Sequence, residues 1–266
     1  MRTFIAYIKI SLSNQIQYKI ASYAGVIVQF CWAVMNILLY RTFYLSNNNT
    51  NMSFQQVVSY MWLQQAFYSL FATWSLDSKI LNSIVSGSVC YELCRPMKLY
   101  NSWFFQNVAR RIGKALPKCI PIILVSSILP GEFRLRWEIK SYEFFAFIIS
   151  MCLSLVLVVS FCMLIYIIVF FIISPLGIKM ILSALLDFMT GAVIPLAFFP
   201  EWMNKILAIS PFTYMQNIPL QIFCGSIAGF EIIYSLFMQT IWVLIFILVG
   251  NILMQKAIKK VIVFGG

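Results

Sequence analysis

"YEFFAFIISMCLSLVLVVSFCMLIYIIVFFII", residues 142–173, contains one charged side chain, Glu143, at its second position. A helix rises about 1.5 Å per residue, so this run outreaches the roughly 30 Å hydrocarbon core of a bilayer. The stretch reads as a transmembrane helix crossing with some tilt.

The flanking sequence repeats the pattern. Of 266 residues, 62% are hydrophobic and 10% are charged, where a soluble domain carries about a quarter. Mean hydropathy is +0.89. A crossing helix needs about 20 apolar residues. Residues 22–44 supply one span, ending before the polar "SNNNTN", and residues 54–76 a second, ending at Asp77. Residues 116–130 are apolar but short and borrow length from an amphipathic run before them. Residues 180–198, with Asp187 inside, and 231–253 bring the number of spans to six. The expected fold is one all-α integral membrane domain over 1–266, with both termini on the same side.

Lysine and arginine assign that side. Fourteen bases gather with the termini: Arg2, Lys9, Lys19, Lys79, Arg95, Lys98, Arg110, Arg111, Lys114, Lys118, Lys179, Lys256, Lys259 and Lys260. Five fall opposite: Arg41, Arg134, Arg136, Lys140 and Lys205. Both termini are therefore expected in the cytoplasm. The net charge of +11 follows from this orientation and requires no nucleic-acid partner. Before the first span, residues 3–20 place Phe4, Ile5, Ile8, Leu12, Ile16 and Ile20 at roughly helical spacing, with Lys9 and Lys19 among the polar residues between. That pattern predicts an amphipathic helix in the cytoplasmic interface; the alternative is an early start of the first span.

Several chemistries lack their residues. The chain has no histidine, which removes the commonest general base and metal ligand. No paired carboxylates, G-x-S-x-G or G-x-x-x-x-G-K-[ST] occur, and Gly113-Lys114 lacks the upstream glycine of a phosphate loop. No catalytic residue is expected in this chain. Cys90 and Cys94 have no second cysteine pair nearby to complete a structural zinc site, so no metal site is expected. The seven cysteines read as buried free thiols.

Two interruptions stand out. The first is the cytoplasmic connection 77–115. "DSKILNSIVSG" reads as a short helix from Asp77 to a stop at Gly87. Pro96 then pushes Arg95 toward extended backbone. Beyond it Trp103, Phe104, Val108, Ile112 and Leu116 recur at helical spacing, and Arg110, Arg111 and Lys114 are expected to snorkel to headgroups. The second is residues 199–228 on the outer side, where Pro200, Pro211 and Pro219 leave pieces too short to cross. They predict a re-entrant or interfacial helical hairpin, with Trp202 and Tyr214 in the aromatic belt; the alternative is an ordinary loop. Asp187, an acid inside a span, is a functional candidate, or a residue that pairs with Lys179 or reaches water.

Together these features resemble the ABC-2 type permeases. The similarity is strongest to a subgroup of about 260 residues with an "I-x-x-G-x-(x)-LLRP" cytoplasmic motif, here Ile84, Gly87, Leu93, Arg95 and Pro96, with Cys94 in place of the second aliphatic. The outer family pattern "IPL-x-FFP-x-W" followed by "P-F" corresponds to Ile194, Pro195, Leu196, Phe198, Phe199, Pro200, Trp202, Pro211 and Phe212. The resemblance implies a bacterial plasma-membrane subunit that works with two ABC ATPase subunits and a second permease, identical or related. ATP and Mg would be bound by the ATPases, and none by this chain. The interfacial helix and the region of Ile84, Gly87, Glu92, Leu93, Arg95 and Pro96 would dock on the ATPases, and the outer hairpin would shape the exit of an amphipathic or hydrophobic cargo. Three other classes make distinct predictions: an ATPase-linked immunity or sensing subunit, a lipid-modifying enzyme, and an ion-coupled secondary transporter working through Asp187.

Overall fold

A computed structural model describes residues 2–17, 19–46, 52–73, 75–94, 96–172 and 175–259. These form α-helices without strands: α1 (Arg2–Gln17), α2 (Lys19–Ser46), α3 (Phe54–Ala66), α4 (Tyr68–Phe71), α5 (Ser78–Val85), α6 (Val89–Leu93), α7 (Leu99–Ile128), α8 (Ser141–Val169), α9 (Pro175–Met189), α10 (Glu201–Ile209), α11 (Thr213–Phe223) and α12 (Phe230–Ile258). Three helices among the described residues are long and apolar enough to cross a membrane: Ser22–Leu45 within α2, α8 and α12. The protein is an all-α membrane protein.

The quoted stretch forms the centre of the bundle. In α8 61% of the apolar window is buried inside the protein, against 11% in α2 and 22% in α12. A helix apolar on every face suits a core position, whereas α2 and α12 offer the same chemistry to lipid. Polar groups hold the neighbours in register. Ser150 Oγ donates to Gln239 Oε1 (3.0 Å), and Gln239 Nε2 donates to Ser154 Oγ (2.9 Å) and to the Tyr214 carbonyl (2.9 Å). Helix association in lipid depends on such bonds and on close packing, because lipid tails are as apolar as the helices.

Contact order gives the helix directions. Phe246 meets Phe161 and Gln239 meets Ser150, so α12 runs parallel to α8. Phe212, Tyr214 and Phe223 meet Phe161, Ser154 and Phe147 in turn, so α11 runs antiparallel to α8. Tyr60 of α3 donates to Asn217 (3.0 Å) and Gln56 to the Cys224 carbonyl (3.1 Å), setting α3 antiparallel to α11. The hairpin α10–α11 thus turns back into the bundle, and Thr213–Leu220, Ile222 and Phe223 are buried.

Several boundaries differ from the sequence reading. The region 77–115 and the short span 116–130 share one continuous helix, α7, with Pro117 and Pro121 inside it. The run read at helical spacing from Trp103 to Leu116 and the apolar residues after it are parts of that one helix. The 54–76 stretch breaks after Ala66 and again after Phe71, and the 180–198 stretch ends its helix at Met189. Lys19 falls in α2, while the described part of α1 is Arg2–Gln17. The cysteines are not uniformly buried: Cys119 and Cys162 are, whereas Cys31, Cys94 and Cys152 are exposed. Tyr214 is buried, and its hydroxyl donates to the Ala208 carbonyl (2.8 Å), so it is no belt residue.

α1 packs along α7. Phe4 meets Phe105 at 5.5 Å, and Tyr7 shares a hydrogen bond with Ser102 (3.3 Å). Gly113 makes the approach possible: a Cβ there would stand 2.8 Å from Ser11 Cβ.

Candidate coupling site

The chain breaks its helix after Phe71 and rebuilds it at Ser78. Asp77 starts the new helix, its Oδ1 accepting from the Lys79 amide (2.9 Å). The helix ends at Ser86, and Gly87 follows at φ +72°, a left-handed conformation that glycine adopts without a Cβ penalty. The chain then turns into α6. The resulting elbow, α5–α6, buries Ile80 and Val89 and leaves Val85, Tyr91 and Leu93 exposed at 59%, 77% and 39%.

Four residues of α7 hold the base of this elbow. Trp103 Nε1 donates to Glu92 Oε2 (2.6 Å). Tyr166 of α8 donates to Asn107 Oδ1 (3.2 Å) and accepts from the Asp77 amide (2.6 Å). Arg110 donates to the Ser75 carbonyl and to Asn107 Oδ1 (3.1 Å), and its Nε lies 3.8 Å from Asp77 Oδ2. Arg111 is 1% exposed; its Nη1 donates to the carbonyls of Leu70 (2.8 Å) and Ala72 (2.9 Å), and its Nη2 to Cys162 Sγ (3.2 Å). The break in the helix leaves carbonyls without intrahelical donors, and Arg111 supplies them. A guanidinium with several donors fixed in one plane suits this task better than an ammonium would. Arg111 therefore points inward and does not snorkel, contrary to the sequence reading.

The other sequence-derived candidates separate. Ile84 is half-buried, Gly87 is at the turn, Leu93 and Pro96 are exposed, and Arg95 lies outside the described residues. Lys9 is exposed on α1; the Lys19 side chain lies outside the described residues. Asp187 is half-buried and accepts from Thr73 Oγ1 (3.3 Å), beside the break that Arg111 holds; a pairing with Lys179 falls on a side chain outside the described residues. Pro195 is buried, Pro200 exposed, Phe199 packs on Phe188 at 5.0 Å and Phe212 on Phe161 at 5.9 Å. Trp202 is exposed, and Pro211 is half-buried before α11. A cavity of about 530 Å³ opens between α10, α11 and the start of α12, with Asn204, Asn217, Tyr234 and Glu231 on its wall.

Sequence reasoning missed Trp103 as a donor, Asn107 and Tyr166 as connectors, and the division of labour between Arg110 and Arg111. One signal was present: Trp103, Asn107 and Arg111 stand at i, i+4 and i+8 on one helical face.

No curated relative matches the chain. Residues 8–262 match the family described as ABC-2 family transporter protein, which takes in α2 to α12 and most of α1. The chain belongs to the ABC-2 family of transporter proteins, as the membrane component of an ABC transporter.

Proposed function

We propose that the chain is the permease subunit of an ATP-driven exporter, and that the α5–α6 elbow is its grip for the ATPase. Two ATPase subunits, each binding ATP and Mg, and a second permease, identical or related, complete the assembly. The chain crosses the bacterial plasma membrane six times with its termini in the cytoplasm. The carrying observation is the contrast within the elbow. Its tip offers Val85, Tyr91 and Leu93 to a partner, while its base is bonded to α7 and α8 through Glu92, Asp77 and Tyr166. A push on the tip is thus transmitted to two bundle helices and not absorbed in a floppy loop. Closure of the ATPase pair on ATP would rock α7 and α8 and open a path outward for an amphipathic or hydrophobic cargo. The α10–α11 hairpin and its cavity would line the exit.

Purification of the tagged chain from its native membrane, with the co-eluting proteins identified, tests this. The expected partner carries a G-x-x-x-x-G-K-[ST] loop, and Tyr91→Asp releases it. Retention of that partner by the variant, or its absence from the wild-type preparation, overturns the assignment. A second reading, ion-coupled transport, rests on the contact of Asp187 with Thr73 next to the helix break. Asp187→Asn separates the two: ion coupling requires loss of transport with ATPase stimulation intact.

A further inference from the structure

α1 and α7 do not close on each other along their whole length. Between them and the first turn of α5 lies a cavity of about 640 Å³, lined by Ser11 and Asn14 of α1, by Asp77 and Lys79, and by Arg110 and Lys114 of α7. Its charge is unbalanced, with three cations to one carboxylate. That carboxylate is already engaged: Asp77 Oδ1 accepts from the Lys79 amide, and Oδ2 faces Arg110 Nε at 3.8 Å. Among the described residues, neither the Lys79 nor the Lys114 ammonium has an ion pair. Like charges facing one cavity repel, and the repulsion turns to attraction when an anion sits between them. The Ser11 hydroxyl and Asn14 amide add neutral hydrogen-bonding groups on the opposite wall.

The rim is of a different character. Ile10 also lines the cavity and is 58% exposed. A cationic, hydrogen-bonding interior beside an apolar exposed rim matches a molecule that is anionic at one end and apolar at the other.

We propose that this cavity binds the phosphate of an anionic amphiphile between Lys79, Arg110 and Lys114, with its acyl chains lying over Ile10. The bound phosphate ties α1, the start of the elbow and α7 together. Its chemistry is shared by a phospholipid headgroup and by free phosphate, and the acyl rim favours the lipid. The lipid source rests on the reading that α1 lies in the bilayer interface.

Native mass spectrometry of the delipidated full chain in detergent tests the proposal. The probes are dioctanoyl phosphatidylglycerol, dioctanoyl phosphatidylcholine and inorganic phosphate. Phosphatidylglycerol is expected to be retained in preference to phosphatidylcholine, and added salt to weaken it. The Lys79→Gln, Lys114→Gln pair is expected to weaken retention about tenfold through loss of two charge-assisted bonds, while Lys140→Gln with Lys205→Gln leaves it unchanged. If the double variant fails to fold, Lys114→Gln alone and the salt dependence of the wild type carry the test. Competition by inorganic phosphate at equal concentration supports the site with free phosphate as its source. Equal retention of both lipids, or retention indifferent to the lysine variants, overturns the proposal. ATPase co-purification is read separately, so failure of the exporter reading leaves the lipid count standing.

Discussion

Two short helical units leave the bundle, and they are held in different ways. The α5–α6 elbow is fixed by polar bonds that span long sequence distances: Trp103 to Glu92, Tyr166 to the Asp77 amide, Arg111 to the carbonyls of Leu70 and Ala72. The α10 arm of the hairpin is fixed to its immediate neighbours. Thr213 Oγ1 donates to the Leu207 carbonyl (2.7 Å), Tyr214 to Ala208 (2.8 Å) and Asn204 Nδ2 to Phe199 (2.9 Å). Of α10 only Leu207 is buried. The elbow is therefore expected to move as one body with α7 and α8, and α10 to move on its own. The first property suits force transmission; the second suits a flap over the adjoining cavity.

The contrast can be broken most severely at Arg111. Arg111→Met removes the guanidinium donors to the Leu70 and Ala72 carbonyls and is expected to cost about 3 kcal/mol, read as a lower unfolding temperature of the purified chain. Gly113→Leu comes next. The new side chain meets Ser11, and the overpacking is expected to cost about 2 kcal/mol, with faster proteolysis of α1 as its local sign. Trp103→Phe keeps the ring and deletes the donor to Glu92. About 1.5 kcal/mol is expected, with faster amide exchange confined to 86–94 and weaker ATPase stimulation. The smallest effect is expected on the hairpin: Thr213→Val should cost about 1 kcal/mol and leave ATPase stimulation unchanged. Equal loss of stimulation in Thr213→Val and Trp103→Phe would erase the contrast.

The legible parts were those written locally. The apolar run of α8 states its own character, and Asp77 and Gly87 bracket α5 within eleven residues of sequence. What stayed hidden depends on contacts between distant segments. Arg110, Arg111 and Lys114 look alike in sequence. The carbonyls of Leu70 and Ala72, turned toward α7 where the preceding helix breaks, and Cys162 Sγ hold Arg111 inward. The joining of 116–130 to the amphipathic run before it was legible from the helical spacing of Trp103 to Leu116, and Pro117 and Pro121 are tolerated inside α7 because it packs on its neighbours. For the candidate site, Gly87 was readable as a helix stop, and Leu93 entered only through the family resemblance. Trp103 shows only its helical spacing with Asn107 and Arg111, and Tyr166, the other brace of that tip, belongs to no local pattern.

The two units differ most sharply if the elbow tip is the ATPase contact and the hairpin is not. Photo-crosslinking with p-benzoylphenylalanine in place of Tyr91, and separately in place of Trp202, tests it in native membranes. A crosslink from position 91 to a protein with a G-x-x-x-x-G-K-[ST] loop is expected, and none to that protein from position 202. A crosslink to that protein from position 202, or none from position 91 in the presence of ATP, would contradict it.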